Sequence, residues 1–165
     1  MFMPVAKFQS LYTIFTLAAE HNLKVHQMDI KATYLNANLK EDLYMEPPPG
    51  FNIPEGHVLK LKKGMYGTRQ GGHVWYEEMR GMLTEMGYTW TEVDHTVFVR
   101  DTDGFPDIIT LYVDNMGLIS ESLECILQDK EALSKHYQMT DLSEMGWILG
   151  IQITHDHEKG TLALS

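Results

Sequence analysis

Two aspartates stand where a hard cation could be held. Asp29 closes a short β-rich segment, residues 25–29, and Asp114 follows the apolar run Ile108-Ile109-Thr110-Leu111-Tyr112-Val113. If the two segments are neighbouring strands, both carboxylates meet at one end of a sheet. Such a pair holds Mg²⁺, which takes one or two carboxylates and completes its shell with water and substrate phosphates. Two ions about 4 Å apart are a common device for displacement at phosphorus. The plainer alternative is that Asp114-Asn115 is a good turn pair and Asp29 a strand end. Spacing alone favours that alternative.

Other reactive groups carry weaker signals. His155 and His157 share one strand face, but two imidazoles make an incomplete metal site, and a solvated hairpin tip is the expectation. Cys125 is the sole cysteine, so no internal disulfide forms and a reducing compartment is expected, the cytoplasm or alternatively the nucleus. No histidine lies near it in sequence to make it a nucleophile. Met79, Met82 and Met86 fall on one helix, where core filling is a better account than an adaptable binding face.

The elements that must position the aspartates follow from periodicity. Phe8, Leu11, Phe15 and Ala18 or Ala19 recur at helical spacing over residues 5–21, with Asn22 as the stop. Residues 43–45 and 58–61 are short strands separated by proline turns. A second helix carries Val74, Trp75, Met79, Met82, Leu83 and Met86, closed by Gly87. Residues 96–100 form a strand. Residues 107–113 and 116–120 form a hairpin around Asp114-Asn115. A third helix over residues 122–137 turns Leu123, Ile126 or Leu127, and Leu133 inward. Residues 147–154 and 161–164 close the chain as a hairpin. This order predicts an α+β domain, a mixed or antiparallel sheet with helices on one face.

Composition narrows the partners. The chain has 165 residues, about one domain, and its 44% apolar and 22% charged content is that of a globular protein. No apolar run approaches the ~20 residues of a membrane span, so no membrane partner is expected. The start, Met-Phe-Met-Pro-Val-Ala-Lys, lacks the basic-then-apolar order of a signal peptide. The net charge is −10, unevenly placed: +1 over residues 1–80 and −11 over residues 81–165. The one dense basic stripe is Lys60, Lys62, Lys63 and Arg69. The acidic half repels nucleic acid unless a metal ion or another chain intervenes.

Several motifs in order carry a resemblance. Gln27-Met28-Asp29-Ile30-Lys31-Ala32-Thr33-Tyr34-Leu35-Asn36, Leu43-Tyr44-Met45-Glu46-Pro47-Pro48-Pro49-Gly50-Phe51 and Leu59-Lys60-Leu61-Lys62-Lys63-Gly64-Met65-Tyr66-Gly67 closely resemble copia-type LTR retrotransposon reverse transcriptase. So do Trp75-Tyr76, Asp94-His95-Thr96-Val97-Phe98, Leu111-Tyr112-Val113-Asp114 and Leu149-Gly150-Ile151-Gln152-Ile153. The likeness runs from about Phe2 to the end of the chain, in the family's order and spacing.

The resemblance implies a right-hand polymerase palm with part of the fingers over residues 1–165. Asp29 and Asp114 match the catalytic aspartates that hold two Mg²⁺ ions (alternatively Mn²⁺), with the Ile30 carbonyl on the same ion as Asp29 and Asn115 as a weak oxygen ligand beside them. Tyr34 matches the aromatic position under the sugar, and Tyr66, Gly67 and Arg69 match the nucleotide-contacting segment. Lys62 and Lys63 are placed to meet template or primer phosphates, and Trp147 and Gly150 belong to the primer-contacting hairpin. The implied partners are an RNA or DNA template–primer and deoxynucleoside triphosphates. Basic N-terminal fingers strands, a thumb and a ribonuclease H domain are expected outside these residues.

The chain also departs from the family. Asn115 replaces a second hairpin aspartate, keeping a weak oxygen ligand but losing a full charge. Gly71-Gly72 stands for the usual Ala-Pro, which loosens the entry into the Trp75 helix, and Thr68 stands for leucine. Ala32-Thr33 inverts the usual Thr-Ala, and Asn36-Ala37-Asn38 lacks an Asn-Gly turn. Two functions therefore compete. One is an RNA-directed DNA polymerase palm, weak as this isolated chain and not rescued by Asn115→Asp alone. The other is a decayed or domesticated palm whose acidic face meets a basic protein partner.

Overall fold

The computed structural model describes Pro4 and residues 6–165, the side chain of Arg69 excepted. Val5, where the first helical periodicity begins, lies outside the described residues. The chain runs α1 (Phe8–Glu20), β1 (Lys24–Ile30), α2 (Thr33–Asn36), β2 (Asn38–Met45), β3 (Leu59–Lys63), α3 (Arg69–Glu85), β4 (Thr89–Trp90), β5 (Val97–Arg100). It continues β6 (Asp107–Tyr112), β7 (Asn115–Ser120), α4 (Leu123–His136), β8 (Met139–Glu144), β9 (Trp147–Ile148), β10 (Ile151–Asp156), β11 (Thr161–Leu164). The α+β class expected from sequence holds. The described residues form two compact units, one of Ala32–Met79 and one of Pro4–Lys31 with Arg80–Ser165.

In the larger unit, six antiparallel strands are ordered β4-β5-β6-β7-β1-β8. Strand alternation divides their side chains between two faces. Val25, Val97, Ile108 and Ile119 join Leu11, Ile14, Phe15 and Ala18 of α1, together with Met145, Ile148 and Ile153, in one core. His26, one residue on from Val25, meets Lys130 of α4. Helices α1 and α4 thus cover opposite faces, which corrects the expectation of helices on one face. The reason is legible in β1, where Val25 and the Met28–Ile30 pair bury both sides of the strand.

Local chemistry fixes the helix ends. Asn22 (φ +50) and Gly87 (φ +90) are left-handed, and Leu23 N donates to Ala18 O and Tyr88 N to Leu83 O. Both close α1 and α3 as Schellman stops. The start of α1 has no side-chain cap of its own. Asp94, from the β4–β5 connection, supplies one instead. Its Oδ2 accepts from Lys7 N at 3.0 Å and Ser10 Oγ at 2.7 Å, and its Oδ1 accepts from Thr96 N and Oγ1. Burial raises the Asp94 pKa, but these four donors outweigh it and the net shift is downward. Asp94→Asn turns an amide toward two of the donors. We expect a loss of about 1–2 kcal/mol in urea unfolding, with α1 fraying first by hydrogen exchange.

Helix α4 buries Ile126, Asp129, Lys130 and Leu133, leaving Leu123 and Leu127 exposed. The expected inward Leu123 is therefore wrong. Two charges sit inward because each has a partner there. Lys130 Nζ bonds Asp141 Oδ1 at 2.5 Å, and Asp129 joins Arg100, Asp107 and Tyr88.

In the smaller unit, β2 and β3 pair antiparallel with Tyr44 opposite Lys60. Helix α3 starts at Arg69, five residues before the expected Val74, because Thr68 caps it: Gly71 N donates to Thr68 Oγ1 at 3.1 Å. Gly71 is also a close approach. A Cβ there would stand 2.6 Å from Met65 O.

Candidate active site

Strand β1 runs antiparallel to β7 with Gln27 opposite Gly117, Met28 opposite Met116 and Asp29 opposite Asn115. Beyond the ladder, Ile30 N donates to Asp114 O at 2.7 Å. These contacts bring Asp29, Ile30, Asp114 and Asn115 to one end of the sheet. Ile30 is buried, whereas both aspartates are partly exposed.

The turn is one residue earlier than expected. Tyr112 pairs with Asn115, so Val113-Asp114 is the two-residue loop and Asn115 opens β7. Val113 takes φ +54, a strained value for a β-branched residue. A loop at Asp114-Asn115 would have set Glu121 opposite the buried Ile108, whereas the observed register pairs Ile108 with Ile119. Core register therefore overrides turn preference.

Asn115 donates from Nδ2 to Asp114 Oδ1 at 3.1 Å, and its Oδ1 accepts from Gln27 Nε2 at 2.9 Å. Sequence reasoning passed over Gln27. Its signal was position: it shares a strand face with Val25 and Asp29, and a polar side chain there needs a partner. Among the described residues, no three His, Cys, Asp or Glu side chains converge as a metal cage. Two carboxylates on adjoining backbone are nonetheless the share a protein gives to one Mg²⁺ when phosphates supply the rest. The donor set fits one divalent ion.

The other residues singled out in the sequence lie elsewhere in the fold. Within the smaller unit, the Tyr34 and Tyr66 rings stand 4.3 Å apart between centroids, and Tyr66 is exposed. Gly67 (φ +84) follows in a left-handed turn. Lys62 and Lys63 are exposed on β3, with Lys63 Nζ donating to Asn36 O, while Lys60 is paired to Asp42. Arg69 opens α3, but its side chain lies outside the described residues. In the larger unit, residues 147–154 are two strands rather than one. Leu149 (φ +52) and Gly150 (φ +81) turn between them, leaving Trp147 exposed.

His155 and His157 stack with centroids 3.8 Å apart, and His157 contacts Asn22 Oδ1 and Glu144 Oε1. His155 Nε2 is buried without a partner. Burial, then the neighbouring His157, holds the His155 pKa below its ordinary 6.5. Burial, then Lys130, does the same to His26. Below about pH 6.5 the unfolded chain therefore binds protons that the folded chain resists, and stability falls as pH drops through that value. We expect a lower melting temperature at pH 5.5 than at 7.5, with a smaller difference in His155→Gln.

A family model described as reverse transcriptase (RNA-dependent DNA polymerase) matches residues 1–165. The retrovirus-related Pol polyprotein from transposon TNT 1-94 of Nicotiana tabacum is 36% identical over 168 residues, covering 100% of this chain and 13% of the polyprotein. The Pol polyprotein from transposon RE1 of Arabidopsis thaliana is 28% identical over 153 residues, 92% of this chain and 10% of its own length. A putative transposon Ty5-1 protein of Saccharomyces cerevisiae is 33% identical over 141 residues, 84% of this chain and 45% of its own. The chain spans less than half the length of each of these relatives. No solved structure matches it significantly.

Proposed function

Because the chain belongs to the reverse transcriptase (RNA-dependent DNA polymerase) family, whose members use divalent metals, we propose that it is the palm and partial fingers of an RNA-directed DNA polymerase. One observation carries the reading: Asp29 faces Asn115 across β1 and β7, while Ile30 N bonds the backbone of Asp114. Asp29 and Asp114, with the Ile30 carbonyl, would hold Mg²⁺, which would supply charge neutralisation at the primer hydroxyl and the triphosphate. Tyr34, Tyr66, Gly67 and Arg69 serve the nucleotide. Lys62, Lys63, Trp147 and Gly150 serve the template–primer.

The test is primer extension on an RNA template at low salt with Mg²⁺ or Mn²⁺. Short, ion-dependent extension lost in both Asp29→Ala and Asp114→Ala is expected. Extension that survives Asp114→Ala overturns the reading.

A second reading rests on Asn115, which occupies a carboxylate position and donates to Asp114. It makes the chain a decayed palm that binds a basic protein through the acidic residues of 81–165. No extension, together with salt-sensitive binding of a basic protein, supports this reading.

A further inference from the structure

The Asp114 carboxylate is held by a two-step chain of hydrogen bonds that starts on the neighbouring strand. Gln27 is buried on the face of β1 that carries Asp29, and its Nε2 donates to Asn115 Oδ1 at 2.9 Å. That bond anchors the Asn115 amide with its Oδ1 toward β1. With Oδ1 engaged, Nδ2 is directed at Asp114 Oδ1, 3.1 Å away. Asp114 itself sits in a two-residue loop after the strained Val113, where no ladder pairing fixes it.

We propose that Gln27 and Asn115 act as positioning residues that orient the Asp114 carboxylate for its ion. The proposal rests on the reading that Asp29 and Asp114 hold that ion. A third carboxylate at residue 115 would repel Asp114 until a cation arrived. The amide instead donates to Asp114 with no cation present, so the acid is aimed before the metal binds. Gln27 takes one lone pair of the Asn115 oxygen, which leaves Asn115 a weak ligand at most. Outer partners that orient a ligand change metal affinity without touching the metal.

The experiment measures Mn²⁺ binding to the full chain by the loss of the free-ion EPR signal. Asp29→Asn and Asp114→Asn are expected to abolish binding. If they leave it unchanged, or if the native chain binds no Mn²⁺, the metal reading fails on its own account. Gln27→Leu is expected to weaken binding about tenfold. Asn115→Leu is expected to do the same, and the double variant no more than either alone, because Gln27 acts only through Asn115. Additive losses overturn the relay, as does full affinity in Gln27→Leu. Gln27→Met serves the same test if the branched side chain disturbs the sheet.

A metal-free measurement tests the relay separately. The Asn115 side-chain amide resonances are expected to shift in Gln27→Leu and in Asp114→Asn. Resonances unmoved by both substitutions overturn the relay whether or not Mn²⁺ binds. Resonances that move in both support it even if the metal reading has failed.

Discussion

Arg100→Met is expected to lower the stability of the fold by about 3–5 kcal/mol, the largest effect of any single substitution considered. The guanidinium contacts Asp107 Oδ2 from Nη2 at 2.7 Å and from Nε at 3.2 Å. It also spans Asp129, with Nη1 to Oδ1 at 2.9 Å and Nη2 to Oδ2 at 3.0 Å. Tyr88 stacks beneath it at 4.4 Å and donates its hydroxyl to Asp129 Oδ2 at 2.7 Å. Both carboxylates are buried, at 3% and 6% exposure, so they cannot turn to water when the cation is removed.

Methionine fills much of the same volume, so the loss measures stranded charge more than a cavity. The check is urea unfolding of Arg100→Met beside the triple variant with Asp107→Asn and Asp129→Asn. The triple variant should recover part of the loss, since neutral amides can be buried at lower cost. A loss below about 1 kcal/mol in Arg100→Met would show that solvent reaches these carboxylates.

That network also marks where the sequence stops being legible. The apolar runs of β6 and β7 and the stops at Asn22 and Gly87 follow from local pattern, because burial and left-handed turns select residue types directly. Asp129 and Lys130 share the helical face of Ile126 and Leu133, but their charges argue against burial there. They lie inward only because Arg100 and Asp141, distant in sequence, await them. Strand β8 has the same character. Met139–Glu144 shows no apolar alternation, and a register shift interrupts its pairing with β1 between His26 and Met28. Nothing local distinguishes it from a loop.

At the candidate site the two aspartates were legible as residue types, and the resemblance supplied their pairing. The one-residue placement of the turn was not legible, because the Ile108–Ile119 core contact decides it. Nor was Gln27, whose partner lies 88 positions away.

Asn115→Asp is expected to make the fold depend on divalent ions. In the native chain, Nδ2 of Asn115 donates to Asp114 Oδ1 at 3.1 Å, an attraction that exists without metal. The substitution replaces that donor with a carboxylate oxygen facing another. Two unit charges about 4 Å apart repel by roughly 4 kcal/mol at an effective dielectric of 20. Water reaches both partly exposed groups, and Gln27 still donates to one oxygen of residue 115, so the net loss in EDTA should be about 2–3 kcal/mol.

A divalent ion reverses the sign. It neutralises both carboxylates and binds only the folded arrangement, so excess Mg²⁺ should restore the loss by mass action. The native chain, with one fewer charge to neutralise, should respond far less. The measurement is urea unfolding of both proteins in EDTA and in MgCl₂. Equal stability of the two proteins in EDTA would mean that residue 115 and Asp114 do not face each other in solution. A deficit that Mg²⁺ fails to repair would mean that these side chains form no ion site, and that the family's metal chemistry has been lost at this sheet end.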